Sequence, residues 1–389
     1  MAQKVRVIIG ASYGDEGKGL ATDYFGAQAD GTRGTVNVLT NGGAQRGHTV
    51  ELSGGARHVF KHFGSASFRG AASYMAHQFI INPMELIREY EELAGMGVMP
   101  KILIHPGCRF STPWDMLVNQ KLKERDGISN TCGFGIWETV VRYGRGCGTA
   151  YAEISAMGRG ERILYLRRLR DGYFAARIKE LGIRMDAGDV FFSEDLLRHF
   201  EEDIESVSIL GETADYRALK RYGTVLFENA QGLLLDGYRK GEEDFTTPSI
   251  TGAGTVVQTI EDTFRGADVE VCYVTRSYLT RHGAGPMESE LAEDTLLTAM
   301  PDLAADATNI ENDFQGALRY GILNEDSLAE RIRRDTQCFT GRKNNRYRPS
   351  VLVTHMNEYG GIDTGKILDA FGRVYLSGGK TAEDVYRVV

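Results

Sequence analysis

Runs of apolar residues separated by amphipathic stretches dominate the chain. Val5-Arg6-Val7-Ile8-Ile9-Gly10 reads as a buried strand, and after a Gly-rich turn Leu20-Ala21-Thr22-Asp23-Tyr24-Phe25 reads as a helix. Short apolar runs at 35–39, 101–104, 224–227, 269–275 and 351–354 predict further strands. Helical segments lie between them, so the strands are expected to form one mostly parallel sheet. Pro83 to Ala94 is the clearest helix, with Pro in its first turn and Met84, Leu86, Ile87, Tyr90 and Leu93 along one stripe. Charged helical stretches at 161–181 and 194–209 read as solvated faces, and the tail from Asp384 carries no signal. With no internal repeat or linker, residues 1–389 are expected to form a single large α/β domain whose long connections serve as substrate loops.

Composition narrows this picture. Gly is abundant at 47 residues and Pro scarce at 8, which suits glycine-shaped loops around ligands. Five Cys form no CxxC pair, and the first residues enter a strand with no signal-like apolar stretch, so a reducing, cytoplasmic setting is expected. No apolar run approaches the roughly 20 residues of a membrane helix. The formal charge of −8 argues against nucleic acid as a partner while leaving room for a local phosphate pocket.

Ser12-Tyr13-Gly14-Asp15-Glu16-Gly17-Lys18-Gly19 follows a strand and opens a helix, where backbone N–H groups and the helix dipole attract phosphate. It is not a Walker A loop, because the spacing fails and Gly19 stands where a metal-binding hydroxyl would be. Asp15 can hold Mg²⁺ or take a proton, and Lys18 can neutralise phosphate. In Asn41-Gly42-Gly43-Ala44-Gln45-Arg46-Gly47-His48-Thr49-Val50, glycines permit close backbone approach and His48 can act as an acid or stabilise developing charge.

These two segments together resemble the adenylosuccinate synthetase signatures WGDEGKGK and GGxNAGHT. The resemblance continues in order through Phe227-Glu228-Asn229-Ala230-Gln231-Gly232-Leu233-Leu234-Leu235-Asp236 (FEGAQGxLLD) and Thr280-Arg281-His282-Gly283-Ala284-Gly285-Pro286 (TRVGxGP). It implies a purine-nucleotide ligase that joins the nitrogen of L-aspartate to C6 of a 6-oxopurine nucleoside monophosphate, with IMP favoured and ATP or GTP consumed. Asp15 would remove N1–H so that O6 attacks the γ-phosphate, His48 would assist as acid, and Lys18 would lie against the transferred group. Mg²⁺ would be held by Asp15 and the Gly47 carbonyl. Gly14, Glu16, Gly17, Gly19 and Thr49 complete the phosphate-binding segments.

By the same resemblance, Asn130, Thr131 and Thr246 would grip the acceptor phosphate, with Cys132 standing in for a Thr. Gln231 and Arg281 would contact nucleotide, and a homodimer partner would contribute Arg142 or Arg145. Two segments depart from the family pattern. The amino-acid loop, roughly TTGRxRRxGW in the family, here ends Gln315-Gly316-Ala317-Leu318-Arg319-Tyr320-Gly321 and keeps one Arg, so Gln315, Gly316 and Arg319 are the amino-acid candidates. The guanine-reading TKxD is Thr354-His355-Met356-Asn357, and together with Gly379 it would hold the donor. Asn both donates and accepts, which moves the expectation from GTP toward ATP. A 2-aminoadenine branch acting on GMP or dGMP looks similar in the FQGxLRxG-type loop, and a catalytically silent nucleotide-binding protein is the alternative of a different class.

Overall fold

The computed structural model describes residues 3–29, 31–126, 133–186, 188–237, 245–304 and 317–388. Asn130, Thr131, Cys132, Gln315 and Gly316 therefore lie outside the described residues. Ten strands form one sheet: Lys4–Gly10 (β1), Thr35–Leu39 (β2), Ala72–Met75 (β3), Ile102–Ile104 (β4), Gly211–Thr213 (β5), Thr224–Gly232 (β6), Asp268–Arg276 (β7), Arg346–Thr354 (β8), Val374–Ser377 (β9) and Val385–Val388 (β10). Their order is β10-β9-β8-β7-β1-β6-β2-β3-β4-β5, and every pairing is parallel except β9 with β10.

The predicted strands are all present. The sheet also recruits Ala72–Met75, Gly211–Thr213 and the two C-terminal strands, so the tail that read as featureless is an antiparallel edge. The charged stretch at 161–181 is interrupted by a π-helical turn at Leu169–Phe174, between the helices Arg159–Arg168 and Ala175–Glu180.

Alternation along β1 shows how the layers form. Val5, Val7 and Ile9 join a core with Phe227, Val256, Val271 and Leu328 on one face, while Ile8 meets Leu20, Ala21, Phe25 and Leu226 on the other. The principal helices are Lys18–Ala27 (α1), Pro83–Gly95 (α2), Ile136–Gly144 (α3), Glu194–Leu210 (α4), Gly254–Thr263 (α5) and Glu325–Thr336 (α6). The side chain of Asn82 caps α2 by accepting from the Glu85 N–H at 3.2 Å, with Pro83 in the first turn. One turn further, buried Glu89 accepts from the backbone of Lys61 at 2.9 Å and His62 at 2.6 Å. It thereby fixes the end of the hairpin His48–Glu51/Arg57–Phe60 that carries the second glycine motif.

The central strand β1 lies between β6 and β7, and the chain leaves it toward β2 on one side and returns through β7 and β8 on the other. This is the switch point at which open α/β sheets leave a crevice beyond the carboxyl ends of their strands. Asp15 and His355 lie in the loops that follow β1 and β8, Gln231 lies at the carboxyl end of β6, and Arg281 ends the short strand Leu279–Arg281 that follows β7.

Candidate active site

The loop after β1 is organised by one of its own carboxylates. Glu16 is buried; its Oε1 accepts from the backbone N–H of Ser12 at 3.0 Å and Gly14 at 2.8 Å, and its Oε2 takes Lys18 Nζ at 2.6 Å. The carboxylate sits in a cradle that only glycines leave open: a Cβ on Gly10 would come within 2.4 Å of Oε2 and one on Gly232 within 2.6 Å of Oε1. Glu16 thus takes up the two inward loop amides and aims Lys18, rather than presenting itself to a phosphate. Gly17 caps α1 at φ 93, with Thr354 3.1 Å from where its Cβ would be. The Thr354 hydroxyl donates to the Glu16 carbonyl at 2.8 Å, so the end of β8 is stitched to the loop.

Asp15 projects outward from this frame. Its side chain is 44% exposed and its backbone sits at φ 59, a conformation that costs a non-glycine residue about 1 kcal/mol. Arg276, at the end of β7, holds that backbone by donating Nε–H to the Asp15 carbonyl at 2.6 Å. His282 Nε2 lies 3.6 Å from the Asp15 carboxylate.

The two glycine motifs meet at Gly19, where a Cβ would lie 2.5 Å from the Thr49 carbonyl oxygen. This contact brings His48 to the phosphate loop. His48 Nδ1 is 2.6 Å from Glu228 Oε1, a distance that places the proton on Nδ1, donated to the carboxylate. Arg46 is also 2.9 Å from Nδ1. Since Nδ1 cannot both donate and accept, that approach reflects the shared partner, which Arg46 reaches at 3.3 Å. Ser65 adds two bonds to Glu228, its hydroxyl to Oε1 and its N–H to Oε2 at 3.1 Å.

Burial by itself would raise the Glu228 carboxyl, but Arg46, His48 and Ser65 outweigh it and bring it down to about 2. Burial, then the Arg46 charge, push His48 down to about 4 against the pull of Glu228. The imidazole is therefore neutral near pH 7, with Nε2 unprotonated.

The donor-side residues also converge. Arg276 Nη1 donates to the Tyr278 hydroxyl at 3.0 Å; Tyr278 in turn bonds Glu358 and meets the His355 ring edge-on at 5.9 Å. His355, at φ 60, is driven by burial and then by Arg276 to about 3. Met356 N–H donates to the Ser377 carbonyl at 3.1 Å, and the Ser377 hydroxyl to the Gly379 carbonyl at 2.9 Å, so segments 354–357 and 377–379 lie side by side. The Asn357 side chain belongs to an exposed residue of this turn.

Around the turn 281–286, Arg281 lies over the Tyr13 ring at 4.9 Å and donates to the Phe245 carbonyl at 3.1 Å, beside Thr246. Gln231 sits at φ 64 with its side-chain carbonyl buried and unpartnered among the described residues. Arg319 departs from the sequence expectation of a cation held ready for an amino acid. It binds Glu290 in bidentate fashion at 2.6 and 2.5 Å, and its remaining N–H groups go to the carbonyls of Gly283 and Gly285 at 2.8 to 3.1 Å. All five donors of a guanidinium are thereby used.

The two candidate interface arginines also separate. Arg142 is fully buried against Asp115 at 2.9 and 3.2 Å, whereas Arg145 reaches solvent, its side chain 44% exposed beside Glu180 at 2.6 Å. Asp15, Lys18, His48, Thr49 and Thr354 are thus brought to one place, with Arg281 and Arg319 on its rim. Sequence reasoning gave no role at the site to Arg46, Ser65, Glu228 or Arg276. Glu228 stood inside a quoted motif, but its partners are distant in sequence.

A cavity of about 510 Å³ is lined by Val38, Phe227, Val256, Tyr216 and His77 among others. No predicted site residue borders it. No described helix is long and apolar enough to cross a membrane.

The adenylosuccinate synthetase family model matches residues 7–327. The adenylosuccinate synthetase of Ralstonia nicotianae is 29% identical over 309 residues, covering 73% of this chain and 62% of that protein. That of Clostridium beijerinckii is 29% identical over 310 residues, covering 74% and 66%. The chain therefore spans less than two thirds of these relatives' length. Among solved structures, the fully ligated adenylosuccinate synthetase from Plasmodium falciparum superposes with a TM-score of 0.73 at 15% identity, over 98% of this chain and 99% of that one. The cyanophage S-2L succinoaminodeoxyadenylate synthetase, bound to dGMP and dATP as an energy donor, gives 0.62 at 16% identity, over 99% and 95%. These two likenesses establish the shared fold.

Proposed function

Because the chain belongs to the adenylosuccinate synthetase family, we propose that it is a carbon–nitrogen ligase that condenses L-aspartate with C6 of a purine nucleoside monophosphate, IMP in the first instance, at the expense of ATP or GTP. The observation that carries this reading is the junction at Gly19, which sets His48 and its buried Glu228 partner against the loop that presents Asp15.

The chemistry follows from the groups. Asp15, solvent-facing and fixed by Arg276, takes N1–H of the purine, and the electron pair moves onto O6. O6 attacks the γ-phosphorus and the nucleoside diphosphate leaves. His48, oriented by Glu228, offers Nε2 to the phosphates; their negative charge raises the proton affinity of an imidazole that is neutral in the free protein. The aspartate amine then adds at C6, phosphate departs and the amine loses its proton. Phosphorylation converts a poor leaving oxygen into a good one, so the nucleoside triphosphate is consumed once per bond formed.

Mg²⁺ suits the donors present, because the Asp15 carboxylate and the Gly47 carbonyl are hard oxygens of exposed residues on the two abutting motifs. When bound it would neutralise charge between the phosphates. Gln231, whose side-chain carbonyl has no partner among the described residues, and Thr246 would serve the acceptor nucleotide, and the 354–357 and 377–379 segments the donor base. We assign the intersubunit arginine of a homodimer to Arg145, because the Arg142 guanidinium is enclosed.

A second reading, the same chemistry on GMP or dGMP, is favoured by His282: a polar ring stands beside Asp15 where the family motif has valine, next to the purine edge that Asp15 would hold. The test is phosphate release with IMP, GMP and dGMP crossed against ATP and GTP, with and without aspartate. Aspartate-dependent release with any acceptor supports the ligase reading, the preferred acceptor separates the two, and release that ignores aspartate refutes both.

A further inference from the structure

An amino diacid brings two carboxylates to the site, and the arginine expected to receive one of them, Arg319, has no N–H left to give. A second guanidinium nearby is in the opposite condition. Arg331, on α6, has a side chain nine-tenths buried, and its Nε–H is buried with no partner among the described residues. Nη2 makes a long contact of 3.3 Å to the Ser12 hydroxyl of the phosphate loop, and Nη1 reaches Glu288 Oε2 at 3.1 Å. A buried cation that leaves donors unmade carries a free-energy cost, unlike a saturated one such as Arg319.

Glu288 is the informative partner. Its backbone N–H donates to the Tyr13 hydroxyl at 3.0 Å, which ties it to the first motif, and its side chain is 40% exposed. It follows directly on the turn 281–286 that Arg319 braces. A half-exposed carboxylate on a nearly buried arginine, between the phosphate loop and that turn, occupies the position a substrate carboxylate would take.

Resting on the ligase reading above, we propose that Arg331 is the carboxylate-binding cation of the amino-acid site, with Glu288 as its resident counter-ion until the amino acid displaces it. Burial lowers the proton affinity of Arg331 and the Glu288 charge offsets part of that, so an anion beside the guanidinium is favourable. The exchange supplies one: a substrate carboxylate replaces the Glu288 carboxylate, and Glu288 swings into water from a position already half in it. Planar bidentate recognition is the geometry a guanidinium offers and an ammonium does not.

The experiment compares Arg331→Met, Arg331→Lys and Glu288→Gln with wild type in two readouts. One is L-aspartate binding, followed by NMR line broadening with IMP present; the other is the set of Michaelis constants for aspartate, acceptor and donor. Arg331→Met should weaken aspartate roughly 10- to 100-fold, the range for a hydrogen bond to a charged group, with both nucleotide constants within about twofold. Lys should restore part of the loss, and Glu288→Gln should tighten aspartate. Unchanged aspartate binding in Arg331→Met overturns the assignment. So does an equal loss for all three substrates, which is what a purely structural ion pair would give, or a loss confined to a nucleotide, which would make the ligand a phosphate. If wild type binds aspartate but releases no phosphate, the ligase reading fails while the binding readout still decides the role of Arg331.

Discussion

Replacing Glu228 by Gln removes one charge from a site where nothing else can compensate for it. The amide keeps the shape and can still accept from His48 Nδ1–H, but Arg46, whose guanidinium is fully buried, loses its counter-ion. Breaking a buried pair from one side costs about 3–5 kcal/mol. The depression of the carboxyl from 4.5 to about 2 by Arg46, His48 and Ser65 points the same way. Its sign is that of a depressed acid, so this stability is present above pH 4.5 and fades as pH falls from 4.5 toward 2. His48 acts in a higher window. Lowered from 6.5 to about 4, it is protonated first in the unfolded chain, so wild type begins to lose stability as pH drops below 6.5.

Urea unfolding at pH 7, followed by circular dichroism, should show Glu228→Gln destabilised by about 3 kcal/mol or more. Adding Arg46→Met should recover part of that loss, because the stranded charge is gone. Turnover should fall in both variants. A loss under about 1 kcal/mol in the single variant, or a further additive loss in the double, would refute the mutually compensating cluster.

Three other outcomes are expected. Asp15→Asn and His48→Gln should each abolish phosphate release while donor binding, measured by equilibrium dialysis, stays within a few-fold, because both groups act on charge that develops during reaction. Asn357→Asp should move kcat/KM toward GTP by roughly tenfold from a native preference that does not favour GTP; a native enzyme that strongly prefers GTP would contradict this. Mixing inactive Arg145→Ala with inactive Asp15→Asn should restore activity in hybrid dimers, since one site of a hybrid receives both wild-type groups; no recovery on mixing would remove Arg145 from the interface.

The central strands were legible because β-branched runs such as Val5 to Ile9 and Val269 to Thr275 are buried on both faces. Ala72–Met75 and Gly211–Thr213 were not, because ASYM and GET have no such signature and become strands only by pairing beside stronger neighbours. At the site, local motifs announced the loop, the histidine and the donor-side turn. What could not be read was how the charges pair. Glu228 meets His48 across 180 residues. Arg319 looked available and is saturated by Glu290, 29 residues earlier. Arg331, within Glu330-Arg331-Ile332-Arg333-Arg334, carried no signal in the sequence; it lies on the helix whose inward face is Leu328 and Ile332.

The sheet's central strand also sets the order in which the chain can fold. β1 is made well before either neighbour: Lys4 aligns with Thr224 on one side and Asp268 on the other. At roughly 5–20 residues per second of synthesis, β1 emerges about 13 to 50 s before β7 can flank it. Until β6 is made, Val5, Val7, Ile8 and Ile9 form an unpaired apolar strand with two open edges, and one edge stays open until β7 follows; such a segment associates with other chains. A chaperone-depleted translation system should therefore yield aggregates seeded by this segment. Changing Ile8, which faces the α1 layer, to a smaller Val should relieve aggregation more than it lowers the stability of the finished fold.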